Sequence, residues 1–138
     1  MSISLSPRTG ALVLTFGVLF GSAVVHIAST QTPWVAPESE KVRKNPLASD
    51  SKAIEQGEKV AKTNYVSCHG AKGRGDGAAA VALNPKPADW TSEKVRAESD
   101  GEIFWKISNG RGAMPPWKHL AENDRWALIR YIRSLGAK

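Results

Sequence analysis

Two stretches of this chain carry apolar residues at the spacing of an amphipathic helix. In the first, small and apolar side chains recur at spacings of one to four residues and mark one helix face: Ala53, Ile54, Gly57, Val60, Ala61 and Tyr65. Either Asp50 or Ser51 can cap the start of this helix. The second stretch ends near Gly136, and its apolar stripe consists of Trp126, Leu128, Ile129, Tyr131, Ile132 and Leu135. The pattern therefore predicts a helix at each end of a domain.

The region between these two helices is rich in Gly and Pro, as in AKGRGDG and NPKPADW. It contains one further short helical pattern, SDGEIFWKISNG at 99–110, and no strand-like alternation longer than a few residues. We therefore predict an all-α domain of three to four helices over residues 50–138. A core with so much loop between its helices is thin, which is typical of a domain that folds around a cofactor.

The N-terminal part, residues 1–30, predicts a membrane anchor. Residues 10–28 form an almost uncharged apolar run after a head whose one basic side chain is Arg8. A spanning helix needs roughly 20 residues, whereas the apolar part of a secretory signal is usually about 7 to 15 long. The length favours a retained transmembrane helix, with a cleaved signal as the alternative. Arg8 predicts a cytoplasmic head, which places the domain outside the inner (cytoplasmic) membrane, in the periplasm or at the cell exterior.

The segment at 31–49 differs in composition from both of its neighbours. It carries three prolines, charges of both signs and no helical apolar stripe. This composition predicts an extended tether between the anchor and the domain. Trp34, just beyond the apolar run, suits a position at the membrane interface.

Net charge narrows the possible partners, and cysteine content narrows the possible metal sites. The formal charge is +6, from 19 Lys and Arg against 13 Asp and Glu, which favours an acidic partner or an anionic surface. The sequence contains no nucleic-acid-binding motif, so we expect no nucleic-acid partner. The single cysteine, Cys68, excludes an internal disulfide and is too few for a zinc or iron-sulfur site based on cysteines.

Cys68 and His69 are adjacent, and several chemistries use such a pair. A nucleophilic thiol needs a base across a pocket, but neighbours on one helix point about 100° apart. A blue-copper site would use Cys68 with two histidines and a methionine such as Met114, but it belongs to a β-sandwich. A buried cysteine beside a surface histidine is the alternative without function.

Haem attachment is the remaining chemistry. In the motif C-x-x-C-H the two cysteines bind the porphyrin edge and the histidine reaches the iron. Here YVSCH places Tyr65 where the first cysteine would stand, with Cys68 and His69 in the last two positions. Haem iron in electron-transfer cytochromes commonly takes a methionine as its second ligand. Met114, in the Gly- and Pro-flanked stretch GAMPPW, is the candidate, and His119 is the alternative ligand.

The region from about Asn45 to Leu135 resembles a class I monohaem cytochrome c of bacterial type. The resemblance is carried by NP at 45–46, Gly57, SCHG at 67–70, KGRGDG at 72–77, LNPKPADW at 83–90, DGEIFWKISNG at 100–110, GAMPPW at 112–117 and RWALIRYIRSL at 125–135. It implies one haem, with His69 and Met114 as the ligands of its iron. It also implies that the first and last helices cross at close range, with Gly57 against the last helix near Tyr131 and Ile132.

The resemblance assigns roles to further residues of the cofactor site. A proline carbonyl, of Pro85 or Pro87, would accept a hydrogen bond from His69 Nδ1 and orient the ring. At most one thioether would form, through Cys68, with the Tyr65 ring beside the free vinyl group. Trp105 would be a wall of the haem crevice, as would Trp90, Ile103, Phe104, Ile107 and Trp117; ordinary core packing is the alternative for each.

The function that follows from the resemblance is single-electron transfer between membrane redox complexes of a respiratory chain, without bond-making on a substrate. The protein is therefore expected not to be an enzyme by itself. Partners with acidic docking surfaces would be steered by Lys72, Lys86, Lys106, Arg111 and Lys118. The alternatives are a fixed haem subunit of a dehydrogenase or terminal oxidase, a non-haem interaction domain, and a haem peroxidase, whose open face Met114 would block.

Overall fold

A computed structural model describes residues 33–136, which form a helical domain. The helices are α1 (Glu38–Lys41), α2 (Lys52–Asn64), α3 (Val66–His69), α4 (Glu93–Ala97), α5 (Asp100–Asn109) and α6 (Glu122–Gly136), with a 3₁₀ segment at Ala78–Ala82. The all-α prediction is confirmed. The three long helices α2, α5 and α6 are those with a periodic sequence pattern. The short helices α1, α3 and α4 went unpredicted because one turn is too short to show a period.

The first and last long helices, α2 and α6, cross at Gly57. A Cβ at this position would overlap the carbonyl oxygen of Ala127 and lie 2.9 Å from Tyr131 Cβ. Only glycine therefore permits this approach of the two backbones. The expected position of the crossing, near Tyr131, agrees with these contacts, while Ile132 lines a cavity described below.

The core lies among α2, α5 and α6, and Trp90 and Val95 add to it. Leu128 and Ile129 of α6 are completely buried. Phe104 of α5 stacks on Trp126 of α6 with ring centroids 3.9 Å apart. Burying a side chain of this size stabilises the fold by about 1.5–3 kcal/mol.

The predicted tether does not extend away from the domain over residues 33–49. Ala36 and Asn45 are buried, and Asn45 Nδ2 donates to the carbonyl oxygen of Trp126 at 3.1 Å. Helix α1 packs on α5, where Ser99 Oγ donates to the carbonyl oxygen of Lys41 at 2.8 Å. These contacts use single side chains and backbone carbonyls, which leave no periodic pattern in the sequence. The extended-tether prediction is therefore wrong for this stretch.

The predicted anchor at 10–28 lies outside the described residues, and its prediction is unchanged. Among residues 33–136, the longest helix, α6, has 15 residues, and none is long and apolar enough to cross a bilayer.

Candidate functional site

His69 and Met114 line the same internal cavity, although 45 positions separate them in the chain. The cavity has a volume of about 70 Å³ and is walled mainly by apolar side chains. Its walls come from α3, α4, α5 and α6, from Tyr65 after α2, from the loop that carries Met114, from the loop at 88–90 and from the stretch before α1. The lining residues are Trp34, Tyr65, His69, Ala88, Trp90, Val95, Glu98, Ile103, Lys106, Ile107, Met114, Leu128 and Ile132. We call this space the His69–Met114 cavity.

His69 is the last residue of α3 and is only 7 % exposed. Its ring stacks on Trp90 with centroids 4.5 Å apart, and its Nδ1 lies 3.1 Å from the carbonyl oxygen of Ala88. Burial lowers the pKa of His69 below its usual value, so the ring is neutral at neutral pH. Because a carbonyl can only accept, Nδ1 carries the proton, and Nε2 keeps the lone pair that can bind a metal.

The residue that orients His69 is Ala88, which corrects the expectation of Pro85 or Pro87. The Pro87 carbonyl is directed at Gly75, where a Cβ would overlap its oxygen. The carbonyl of the next residue, Ala88, reaches His69. The loop is held in this position by a hydrogen bond of 2.7 Å that Trp90 N donates to the carbonyl oxygen of Gly73. Pro85 is exposed and does not line the cavity. Sequence spacing could not distinguish the adjacent carbonyls of Pro87 and Ala88, which point to different partners.

Met114 is held by a tight loop. The backbones of Arg111 and Met114 exchange two hydrogen bonds of 2.8 and 3.0 Å, and Gly110 and Gly112 provide the positive φ angles that the loop needs. Trp117 N then donates to the carbonyl oxygen of Ile107 at 3.1 Å, which ties the loop to α5. The flanking glycines and prolines thus fix a backbone path that directs Met114 into the cavity.

The alternative ligand, His119, does not line the cavity. It is exposed, and its ring lies 5.3 Å from that of Trp117. Of the two candidates from the sequence, only Met114 is brought together with His69.

Tyr65 is buried in the cavity wall, with 3 % of its surface exposed. Its ring packs on Trp117 with centroids 4.7 Å apart, and its hydroxyl has no hydrogen-bond partner. Burial raises the pKa of Tyr65, so the phenol keeps its proton. The Trp117 indole nitrogen is likewise buried without an acceptor. Unpaired buried donors are uncommon in native proteins and are a sign of a bound ligand or water.

Cys68 lies beside the cavity on the single turn of α3. It is half-buried, and Ser67 Oγ lies 3.8 Å from its sulfur. It does not line the cavity itself. The thiol is free, so it is available for a thioether bond.

Helix α5 separates the His69–Met114 cavity from a second one. Ile103 and Ile107, one turn apart, face His69, whereas Trp105 lies about 200° around the helix from each of them. Trp105 lines an open cavity of about 450 Å³, which we call the Trp105 cavity. Phe104 lines this second cavity too, together with Glu40, Arg43, Ser108, Asn109, Lys118, Glu122 and Arg125. The expectation that Trp105 and Phe104 line the haem crevice does not fit this arrangement.

The residues around the His69–Met114 cavity fit a haem. They supply a neutral imidazole nitrogen and a thioether sulfur from separate elements, apolar walls, and the Tyr65 hydroxyl, which has no hydrogen-bond partner. At about 70 Å³ the cavity is smaller than most ligand pockets, so binding a porphyrin must move its walls apart. The sequence analysis did not assign Trp34, Val95 or Glu98 to the wall, and none of them stands in a motif. Ala88 lies within LNPKPADW, but its proline neighbours were chosen, and Leu128 and Ile132 were assigned only to the apolar stripe of the last helix.

Comparisons with known proteins show which family this chain resembles. A chain of the Kuenenia stuttgartiensis reducing HAO-like protein complex superposes with a TM-score of 0.53 at 28% sequence identity. The match covers 62% of this chain and 44% of that one, so this chain spans less than half of its length. No curated protein matches. Residues 52–132 match the family model "Cytochrome C oxidase, cbb3-type, subunit III". The chain therefore belongs to this family of cytochrome c domains, which bind haem c with its iron.

Proposed function

We propose that this protein carries single electrons with one haem c, whose iron His69 and Met114 ligate. The observation that carries the proposal is that both side chains line one cavity although they come from α3 and from a separate loop. A bound haem would supply an iron centre that alternates between the ferric and ferrous states. The chain keeps the His69 imidazole neutral through burial and orients it through Ala88.

The protein environment also sets the reduction potential of the haem iron. A thioether ligand and apolar walls such as Ile103, Ile107 and Leu128 favour the less charged ferrous state, which raises the reduction potential. Haem peroxidase activity is disfavoured, because a methionine on the iron leaves no open face for peroxide.

Cys68 is proposed to form the only thioether bond. Tyr65 stands where a second attachment cysteine would be, and its ring lies 6.3 Å from that of His69, near the edge of the cavity. One vinyl group of the haem would thus remain free beside Tyr65. In a pyridine spectrum that counts intact vinyl groups, we expect one per haem.

The proposed setting is the periplasmic side of the inner membrane, with residues 10–28 as the anchor. Two arrangements are compatible with it: a carrier that moves between complexes, or a fixed haem subunit. The family description names an oxidase subunit, and the similar solved structure belongs to a reducing HAO-like protein complex, which favours the fixed subunit. Size-exclusion chromatography of gently solubilised membranes separates the two, since a carrier elutes alone and a subunit elutes with its complex.

Docking to acidic partners is proposed to use a smaller set of cations than expected from sequence. Lys106 is half-buried and paired with Glu98 and Glu102, so it is not available for docking. Lys72 and Lys118 are exposed. They are the lysines best suited to steer an acidic partner.

Optical spectra of the purified protein in its oxidised and reduced forms test the proposal. We expect a low-spin haem spectrum that changes reversibly on reduction, and haem that stays with wild-type protein in acidified organic solvent but is extracted from a Cys68→Ser variant. A colourless protein, expressed with the haem-attachment machinery, would refute the proposal.

A further inference from the structure

One wall of the His69–Met114 cavity comes from outside the family domain. The family match covers residues 52–132, and every lining residue falls within it except Trp34. Trp34 belongs to the stretch 33–45, which we call the N-terminal strap. The sequence predicted a membrane-interface position for this side chain, but it lines the cavity together with His69 and Met114.

The strap is fastened to the domain along its length. Ala36 is 2 % exposed. At the far end, Asn45 is 6 % exposed, donates to the Trp126 carbonyl and accepts from Leu47 N at 2.8 Å. The backbone between them lies so close to α5 that a Cβ on Gly101 would overlap the carbonyl oxygen of Glu40.

Arg43 connects the strap to the domain through cation–π contacts and ion pairs. Its guanidinium lies 4.5 Å from the Phe104 ring centroid and 5.3 Å from that of Trp126. It also pairs with Glu40 at 3.1 Å and with Glu122 of α6 at 2.9 Å. The strap is thus connected both to α5 and to α6, which are two of the helices that wall the cavity.

Trp34 is held at the polar end of the cavity. The Lys106 ammonium lies 5.7 Å from the Trp34 ring centroid, within the range of a cation–π contact. Lys106 is fixed in turn by Glu98 and by Glu102, the latter at 3.7 Å. Glu98 and Lys106 are the charged side chains of the cavity wall. Water would therefore enter at the end of the cavity that these two residues line if Trp34 were absent.

We propose that Trp34 is a residue of the haem site, and that the N-terminal strap closes the cavity by covering its charged end. This inference rests on the proposed function, since it needs a haem in the cavity. Trp34 excludes water from the iron and limits the access of other ligands to it. Exclusion of water favours the ferrous state, so Trp34 also raises the reduction potential.

The test uses the full chain with its haem and follows two quantities: the rate at which imidazole binds to the ferric protein, and the reduction potential. Trp34→Ala should bind imidazole several-fold faster and have a lower potential than wild type. Asn45→Ala, which loosens the strap outside the cavity, should change both quantities in the same direction but less. Val35→Ala is the matched control, because Val35 is on the same strap but is 53% exposed.

The outcomes separate this inference from the proposed function. If wild-type protein binds no haem, the proposed function fails and this inference fails with it. If Trp34→Ala is coloured but matches Val35→Ala in both quantities, only the inference about the strap is wrong. Should Trp34→Ala fail to fold, Trp34→Leu keeps an apolar side chain without the ring, and the same comparison with Val35→Ala decides the matter.

Discussion

Helix α5 separates two cavities of opposite character. The His69–Met114 cavity is small and mostly apolar, whereas the Trp105 cavity is several times larger, open and lined by charged groups. Volume alone would favour the larger one as a cofactor site. The chemistry favours the smaller one, because it contains the ring nitrogen and the sulfur that iron binds. For a cofactor that moves the walls apart, the donor atoms are thus a better guide than the volume of the cavity.

The largest expected effect is on haem binding, and it should distinguish His69 from His119. His69→Ala removes the proposed ligand in the small cavity and should abolish the low-spin haem spectrum and most of the haem binding. His119→Ala is the matched control and should keep the spectrum, since His119 is exposed and does not line the cavity. Optical spectra of both variants check this. Loss of the spectrum in the His119 variant alone would show that the wrong histidine was chosen.

Met114→Ala should have the next largest effect. Haem stays bound through His69 and Cys68, but the iron opens to added ligands such as imidazole, and the reduction potential falls. Redox titration and ligand-binding spectra measure these changes. Met114→Leu keeps the apolar volume without the sulfur and should behave in the same way. A wild-type spectrum in both variants would remove Met114 from the iron.

Tryptophans on the two sides of α5 should differ in their effect on stability. Trp90 is 7 % exposed and stacks on His69, so Trp90→Ala should lower the free energy of unfolding by about 3–5 kcal/mol. Trp105 is half-buried in the wall of the open cavity, so Trp105→Ala should cost less. Denaturant unfolding of the two variants measures the difference. An equal or larger cost for Trp105 would contradict the assignment of the two cavities.

The smallest expected effect concerns the unpaired hydroxyl of Tyr65. In the apoprotein, Tyr65→Phe removes a buried polar group without a partner, so the free energy of unfolding should rise by about 1–3 kcal/mol. In the haem-loaded protein the gain should shrink if the haem offers this hydroxyl an acceptor. Denaturant unfolding with and without haem gives both values. A large loss of stability in the apoprotein would mean that the hydroxyl has a partner.

Periodic and motif-based features were visible in the sequence. The apolar stripes predicted α2 and α6, and the resemblance to cytochromes c marked Gly57 as the residue at their crossing. The motif around Cys68 and His69 and the isolated methionine pointed to two residues that the fold brings into one cavity.

Features that depend on the direction in which a helix face, a carbonyl or a side chain points were not predictable from the sequence. Nothing in 100–109 tells which face of α5 turns toward His69, because aromatic and apolar residues occur on both faces. The choice of Ala88 over its proline neighbours depends on the orientation of single carbonyls. The strap was missed because its contacts are made by isolated residues such as Asn45, and Trp34 meets the cavity only in the folded chain.

The central claim is that one haem iron lies between His69 and Met114. A crystal structure of the haem-loaded protein tests it most directly. We predict that His69 Nε2 and the Met114 sulfur bind the iron from opposite faces of the porphyrin. A structure in which either atom lies away from the iron, or in which the porphyrin occupies the Trp105 cavity, would contradict it.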